Sequence, residues 1–135
     1  MRLFNTTYLI DLTNSDTGAV EKAKKVDGEE SLAAVSVITV HEYLLGVHLR
    51  YSEPKELTEK LARAKRDLTP FQVIPLTVEM VEESSRLQAQ MERKGQPMGI
   101  NDLYIASTAL ELKLTLVTRD LADFRKVPGL KLETY

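Results

Sequence analysis

The sequence predicts an α/β fold, with a mostly parallel sheet of four to five strands covered by helices on both faces. Short apolar runs such as Leu32-Ala33-Ala34-Val35 and Thr115-Leu116-Val117-Thr118 have the length and character of buried parallel strands. They alternate with longer segments of helical period, and that alternation implies right-handed crossovers between parallel strands. Two of the strands end at polar residues, Asn5 and the Thr118-Arg119-Asp120 turn. In such sheets ligands bind beyond the carboxyl ends of the strands.

In chain order, residues 2–5 read as a first strand and residues 8–12 as a short helical turn. The polar turn Thr13-Asn14-Ser15-Asp16 follows, and Asp16 or Thr17 caps a helix running to about Val26, where Asp27-Gly28 stops it. After the strand at 32–35 come helices over 37–51 and 54–68, the second opening on Pro54, a residue suited to a first helical position. Residues 71–74 form the third strand, between Pro70 and Pro75. Thr77 caps a long helix ending near Lys94-Gly95, with Glu79, Glu82 and Glu83 early and Arg93 and Lys94 late, as the helix dipole favours. Residues 95–99 are a loop, 101–112 a helix, 115–118 the fourth strand, 121–124 a short helical turn, and 130–133 an edge strand after Pro128-Gly129.

The 135 residues (15.2 kDa) suit one domain, 1–135, and no repeat or linker divides them. With 43% hydrophobic and 28% charged residues, and no apolar stretch of membrane-spanning length, the composition is that of a soluble protein. No secretory signal is expected from the opening segment, and cysteine is absent, which removes disulfides, thiolate metal sites and cysteine nucleophiles together. A cytoplasmic location is the expectation. The net charge of -2 means that nucleic-acid binding would depend on a local basic patch or on dimer geometry.

Three acids stand in apolar surroundings. Glu42 shares a stripe with Ile38, Leu45 and Leu49 on a helix apolar enough to be buried around most of its circumference. A buried carboxylate is paired, metal-bound or protonated, unless it lies at the stripe's edge and reaches solvent. Asp102 shares a face with Ile105, Ala106 and Ala109, although an acid in a first helical turn is also stabilised by the dipole alone. Asp120 ends an apolar strand and either caps the following turn or serves a site; Asp123 follows it. Carboxylates gathered at one end of a sheet repel one another, and a divalent cation relieves that repulsion. Oxygen-only ligands favour Mg²⁺ or Mn²⁺, ions that activate water and stabilise charge on a phosphodiester under attack.

The segments carrying these acids resemble the PIN-domain ribonucleases, most closely the VapC-type toxins of toxin-antitoxin pairs. NTTYLIDL is similar to the family's opening D-T-x-x-L-I-D-L, TVHEYLLGV to its glutamate helix, GINDLYIASTALE to G-x-x-D-x-x-I-A-x-A, and LVTRDLADFRKVPGLKL to its closing T-x-N/D-x-x-D-F segment. Four pieces in order, with compatible spacing, carry the resemblance over nearly the whole chain. It implies a PIN-like three-layer α/β/α fold and a metal-dependent endoribonuclease toxin that cleaves RNA. It also implies a homodimer and a VapB-like antitoxin that occludes the acidic groove. Carried over, it makes Glu42, Asp102 and Asp120 metal-site acids, Thr6 the hydroxyl supporting the first acid, and Asp123 a neighbour of Asp120.

The first acid position falls on Asn5, where the family has aspartate. Asparagine keeps a carbonyl oxygen of similar shape and loses a charge. A unit charge pair at about 4 Å is worth roughly 4 kcal/mol at an effective dielectric of about 20, before desolvation and the retained amide dipole reduce the loss. Metal affinity and nucleophile activation should both suffer. Three explanations are open: a targeted exchange that silences a toxic nuclease, a natural variant with weakened activity, or a natural pseudo-enzyme that keeps antitoxin or RNA binding. The intact remainder of the motifs favours the first.

Other chemistries fail on spacing. His41 and His48 are too far apart for the HExxH zinc motif, and neither a P-loop nor a G-x-G-x-x-G occurs. Lys60, Arg63, Lys65 and Arg66 read as a solvated helix face or a contact for RNA phosphates. Tyr8, Tyr43 and Tyr104 read as core or groove aromatics.

Overall fold

Leu3 and Phe4, adjacent in sequence, point to opposite faces of the sheet and nucleate two separate cores, as the period of two along a strand requires. The computed structural model describes residues 1–29 and 31–135. Its elements run β1 (Arg2–Phe4), α1 (Thr6–Thr13), α2 (Thr17–Asp27), β2 (Ala33–Ser36), α3 (Val37–Arg50), α4 (Pro54–Leu68), β3 (Gln72–Ile74), α5 (Val78–Arg93), α6 (Ile100–Glu111), β4 (Thr115–Val117), α7 (Leu121–Phe124) and β5 (Leu132–Glu133). The five strands lie in the order β3-β2-β1-β4-β5, and all four neighbouring pairs are parallel.

The register carries the alternation across the sheet. Leu3 lies beside Ala34 and Leu116, and together with Ile74 they pack against Met80, Leu87 and Met91 of α5, Leu103, Ile105, Ala106 and Ala109 of α6, and Phe124 of α7. Phe4 lies beside Val117 and shares the opposite core with Val35, with Tyr8 and Leu9 of α1, Ala19 and Val26 of α2, and Leu68 of α4. The Phe4 and Tyr8 rings meet at 4.5 Å between centroids. The result is the expected three-layer α/β/α arrangement.

Local chemistry sets most boundaries. Asp16 caps α2 by accepting from Ala19 N, Thr77 caps α5 through Met80 N, and Glu53 caps α4 ahead of Pro54. Gly95 ends the α5 segment at φ +68, a left-handed conformation that a Cβ would disfavour. Strands β3 and β4 are each one residue shorter than expected, and β5 covers only Leu132–Glu133 of the expected 130–133. Three further expectations shift. Asn5 is not the last strand residue but the N-cap of α1, which runs for eight residues and so exceeds the short turn expected over 8–12. Strand β2 begins at Ala33, after an exposed Leu32, and runs to Ser36, whose hydroxyl accepts from Ile38 N and starts α3 without a loop. Helix α3 is less buried than its composition suggests. Thr39 is its buried residue, whereas Leu45 is 43% and Leu49 79% exposed, because the stripe meets protein only at its first turns. Among the described residues, no helix is long and apolar enough to cross a membrane.

From β1 the chain moves outward through β2 to β3, then crosses back to place β4 on the other side of β1. The β1–β4 seam is therefore the point where the strand order reverses, the position at which open α/β sheets form a crevice.

Candidate active site

At the carboxyl end of the β1–β4 seam, the chain leaves β1 through Asn5 and leaves β4 through Thr118. Asn5 is buried, and its backbone N–H donates to Val117 O at 3.0 Å. Its side chain is held at both ends: Oδ1 accepts from Thr6 N at 2.9 Å, and Nδ2 donates to Thr118 Oγ1 at 3.0 Å. The same Thr118 oxygen accepts from the backbone N–H of Asp120 at 3.0 Å. One buried hydroxyl thus ties the first acid position to the turn that carries two carboxylates.

Those carboxylates, Asp120 and Asp123, meet Asp102 from the first turn of α6, with one oxygen from each lying within 4.8 Å of the others. Asp102 projects from the face whose other members, Ile105, Ala106 and Ala109, are buried, so packing orients its carboxyl. Burial, reinforced by the charges of Glu42, Asp120 and Asp123, pushes the Asp102 carboxyl up to about 6. A helix N-terminus alone would lower it, so desolvation and repulsion outweigh the dipole here. Burial and the adjacent Asp123 also raise the Asp120 carboxyl from its ordinary value. Asp120 occupies the N-cap position of α7 without a side-chain capping hydrogen bond, and one of its carboxylate oxygens joins the cluster. Lys126 offers a compensating cation, its Nζ lying 3.3 Å from Asp123.

Glu42 approaches from α3. Its Oε1 accepts from Thr6 Oγ1 at 2.8 Å, and Thr6 Oγ1 lies 3.1 Å from Thr39 Oγ1, so two threonines orient it. Its charge reaches Asp102, but its oxygens lie outside the tight Asp102–Asp120–Asp123 group. The structure therefore brings together Asp102, Asp120 and Asp123 most closely, with Glu42 and Thr6 beside them and Asn5 behind Thr118. The sequence marks Thr118 as part of a polar strand end but assigns its hydroxyl no role. Its sign there was the threonine two positions before Asp120, which only the pairing of β1 with β4 turns into a link.

An all-oxygen donor set with a carboxyl titrating near 6 fits a hard divalent cation, whose charge would offset the repulsion that raises Asp102.

The family model for the PIN domain matches residues 3–130. The chain belongs to the PIN-domain family. Ribonuclease VapC2 of Rickettsia felis is 31% identical over 132 residues, covering 95% of this chain and 97% of that relative. The tRNA(fMet)-specific endonuclease VapC of Salmonella typhimurium is 26% identical, covering 78% and 76%. Among solved structures, VapBC2 of Rickettsia felis bound to a promoter DNA fragment superposes with a TM-score of 0.83 at 25% identity, over 99% of this chain and 98% of that one. VapBC-1 of nontypeable Haemophilus influenzae reaches 0.85 at 19% identity, over 98% and 96%, a likeness of fold alone. This PIN domain is thus of the VapC ribonuclease toxin type by homology, and its acids occupy the carboxyl edge of the sheet.

Proposed function

We propose that this PIN domain is a metal-dependent endoribonuclease toxin that cleaves RNA phosphodiester bonds. The observation that carries the reading is the convergence of Asp102, Asp120 and Asp123 within 4.8 Å at the strand-order reversal. Asp102, Asp120 and Glu42 would hold Mg²⁺ or Mn²⁺, with Asp123 completing the group and Asn5 standing at the first acid position. An ion bound there supplies an activated water and offsets charge on the phosphate under attack. Thr6 holds Glu42 in orientation, and Thr118 holds Asn5 and the Asp120 turn.

The second reading is a catalytically silent PIN fold that retains antitoxin or RNA binding, and the Asn5 amide favours it. Its Nδ2 faces Thr118 as a donor, where a carboxylate would accept. A VapB-like antitoxin and a homodimer are part of both readings. The exposed Leu45, Leu49, Val78 and Val81 supply apolar surface for such partners. A cytoplasmic location remains the expectation.

Cleavage of RNA in Mn²⁺ by the chain as it stands and by Asn5→Asp separates the two. The nuclease reading expects cleavage that rises in Asn5→Asp. Folded, antitoxin-free Asn5→Asp protein that leaves RNA intact would sink it. An aspartate codon at position 5 in the encoding gene would mark Asn5 as a targeted exchange.

A further inference from the structure

We propose that a groove running from Glu42 to Tyr51 carries single-stranded RNA away from the acid cluster, with Arg50, Lys60 and Arg63 holding its phosphates and the Tyr51 ring stacking a base. This rests on the ribonuclease reading.

The groove begins between the end of α1 and α3. There Ile10, Gly46 and Val47 join Glu42 in lining about 260 Å³. It continues without a break into a second cleft of about 200 Å³ between α3 and α4, since Tyr43, Val47, Arg50 and Tyr51 line both. Charge changes sign along it. Glu42 marks the near end; at the far end Arg50, Lys60 and Arg63 meet one carboxylate, Asp67, which already accepts from the Tyr43 hydroxyl at 2.9 Å. Among the described residues, none of these cations forms an ion pair. The Arg50 guanidinium lies 5.5 Å and the Lys60 ammonium 5.3 Å from the Tyr51 ring centre. These contacts are weak at a site only half-buried, so a phosphate can draw the cations off the ring while a base takes the ring face.

The basic cluster, read from the sequence as a solvated face or a contact for RNA phosphates, thus divides: Lys60 and Arg63 line the groove, whereas Lys65 and Arg66 are exposed outside its lining. Arg50 lies ~12 Å along the helix axis from Glu42 at the usual α-helical rise, a span that places the cations a few nucleotides from the reacting phosphate. An apolar floor leading to a cationic, aromatic end suits a flexible nucleic-acid strand, whose bases and phosphates want those two environments.

Fluorescence anisotropy of an end-labelled, mixed-sequence single-stranded RNA, titrated in EDTA so that the strand stays intact, tests this across a range of salt. Arg50→Ala, Lys60→Ala and Arg63→Ala should each weaken binding about threefold to tenfold, and together flatten the salt slope by about 2. Tyr51→Leu should weaken binding about tenfold at unchanged salt slope, and Tyr51→Phe should restore it. Lys94→Ala, exposed and outside the groove, should bind as the parent does. A triple cation variant with parental affinity and slope overturns the proposal. So does one that keeps RNA but loses a co-expressed antitoxin, because the groove then belongs to a protein partner. If the parent binds no RNA and Asn5→Asp cuts none, the ribonuclease reading has failed and takes this proposal with it; parental binding with indifferent variants defeats this proposal alone.

Discussion

The Asn5 side-chain amide donates to the Thr118 hydroxyl at 3.0 Å across the β1–β4 seam, and the same hydroxyl oxygen accepts from Asp120 N. Thr118 is fully buried, so both donors depend on it. Thr118→Val keeps the shape and removes the acceptor, leaving two donors unpaired at a cost of about 1–3 kcal/mol each if nothing replaces it. Urea denaturation should show that loss, with Thr118→Ser recovering most of it. Mn²⁺ affinity by calorimetry should fall in the same variant, because the Asp120 turn loses its tether.

Asp102 makes the metal-free protein sensitive to pH. Its carboxyl is held near 6 in the fold, against an ordinary value of 3.8, so the native state binds the proton more tightly than the unfolded chain. Ionisation therefore erodes stability as pH rises from about 4 to about 6, and the full penalty stands above that. In EDTA, Asp102→Asn should melt higher than the parent at neutral pH and converge with it below about pH 4. Adding Mn²⁺ at neutral pH should reverse the order. Equal melting temperatures across this range would show that the carboxylates do not strain the fold.

Thr6 orients Glu42 through a 2.8 Å hydrogen bond. Thr6→Val leaves the carboxylate without that donor, and a loss of about tenfold to a hundredfold in metal affinity is expected from removing a group that positions a ligand. Thr6→Ser should restore it. Calorimetric titration with Mn²⁺ reads the effect without requiring turnover.

Phe124 anchors the turn that bears Asp120 and Asp123. It is fully buried against the α5–α6 face, and Phe124→Ala should cost about 3–5 kcal/mol of stability by chemical denaturation. At temperatures where the variant remains folded, its Mn²⁺ affinity should still fall, since the pair of aspartates rests on that ring.

Helix termini and strand faces were legible because their causes are local. Asp16, Thr77 and Pro54 act on neighbouring backbone groups, and the alternation of Leu3 with Phe4 follows from the pleat. The acids were legible for a related reason. A carboxylate in an apolar setting is conspicuous in a linear string, and the four motif segments that carry Glu42, Asp102, Asp120 and Asn5 resemble one family in order. The same string misjudged α3, because an apolar stripe looks alike whether it meets a core or a partner, and Leu45 is partly and Leu49 largely exposed.

By itself, then, the amino-acid sequence determined the α/β alternation, the family and the candidate acids, all of which depend on residue type and short-range spacing. The tertiary structure alone decided which groups meet. Parallel pairing of β1 with β4 brings Asn5 to Thr118, and the packing of α6 over the sheet brings Asp102 to Asp120 and Asp123 ahead of Glu42. Such distances are set by strand register and helix packing between segments far apart in the chain, which no local pattern encodes.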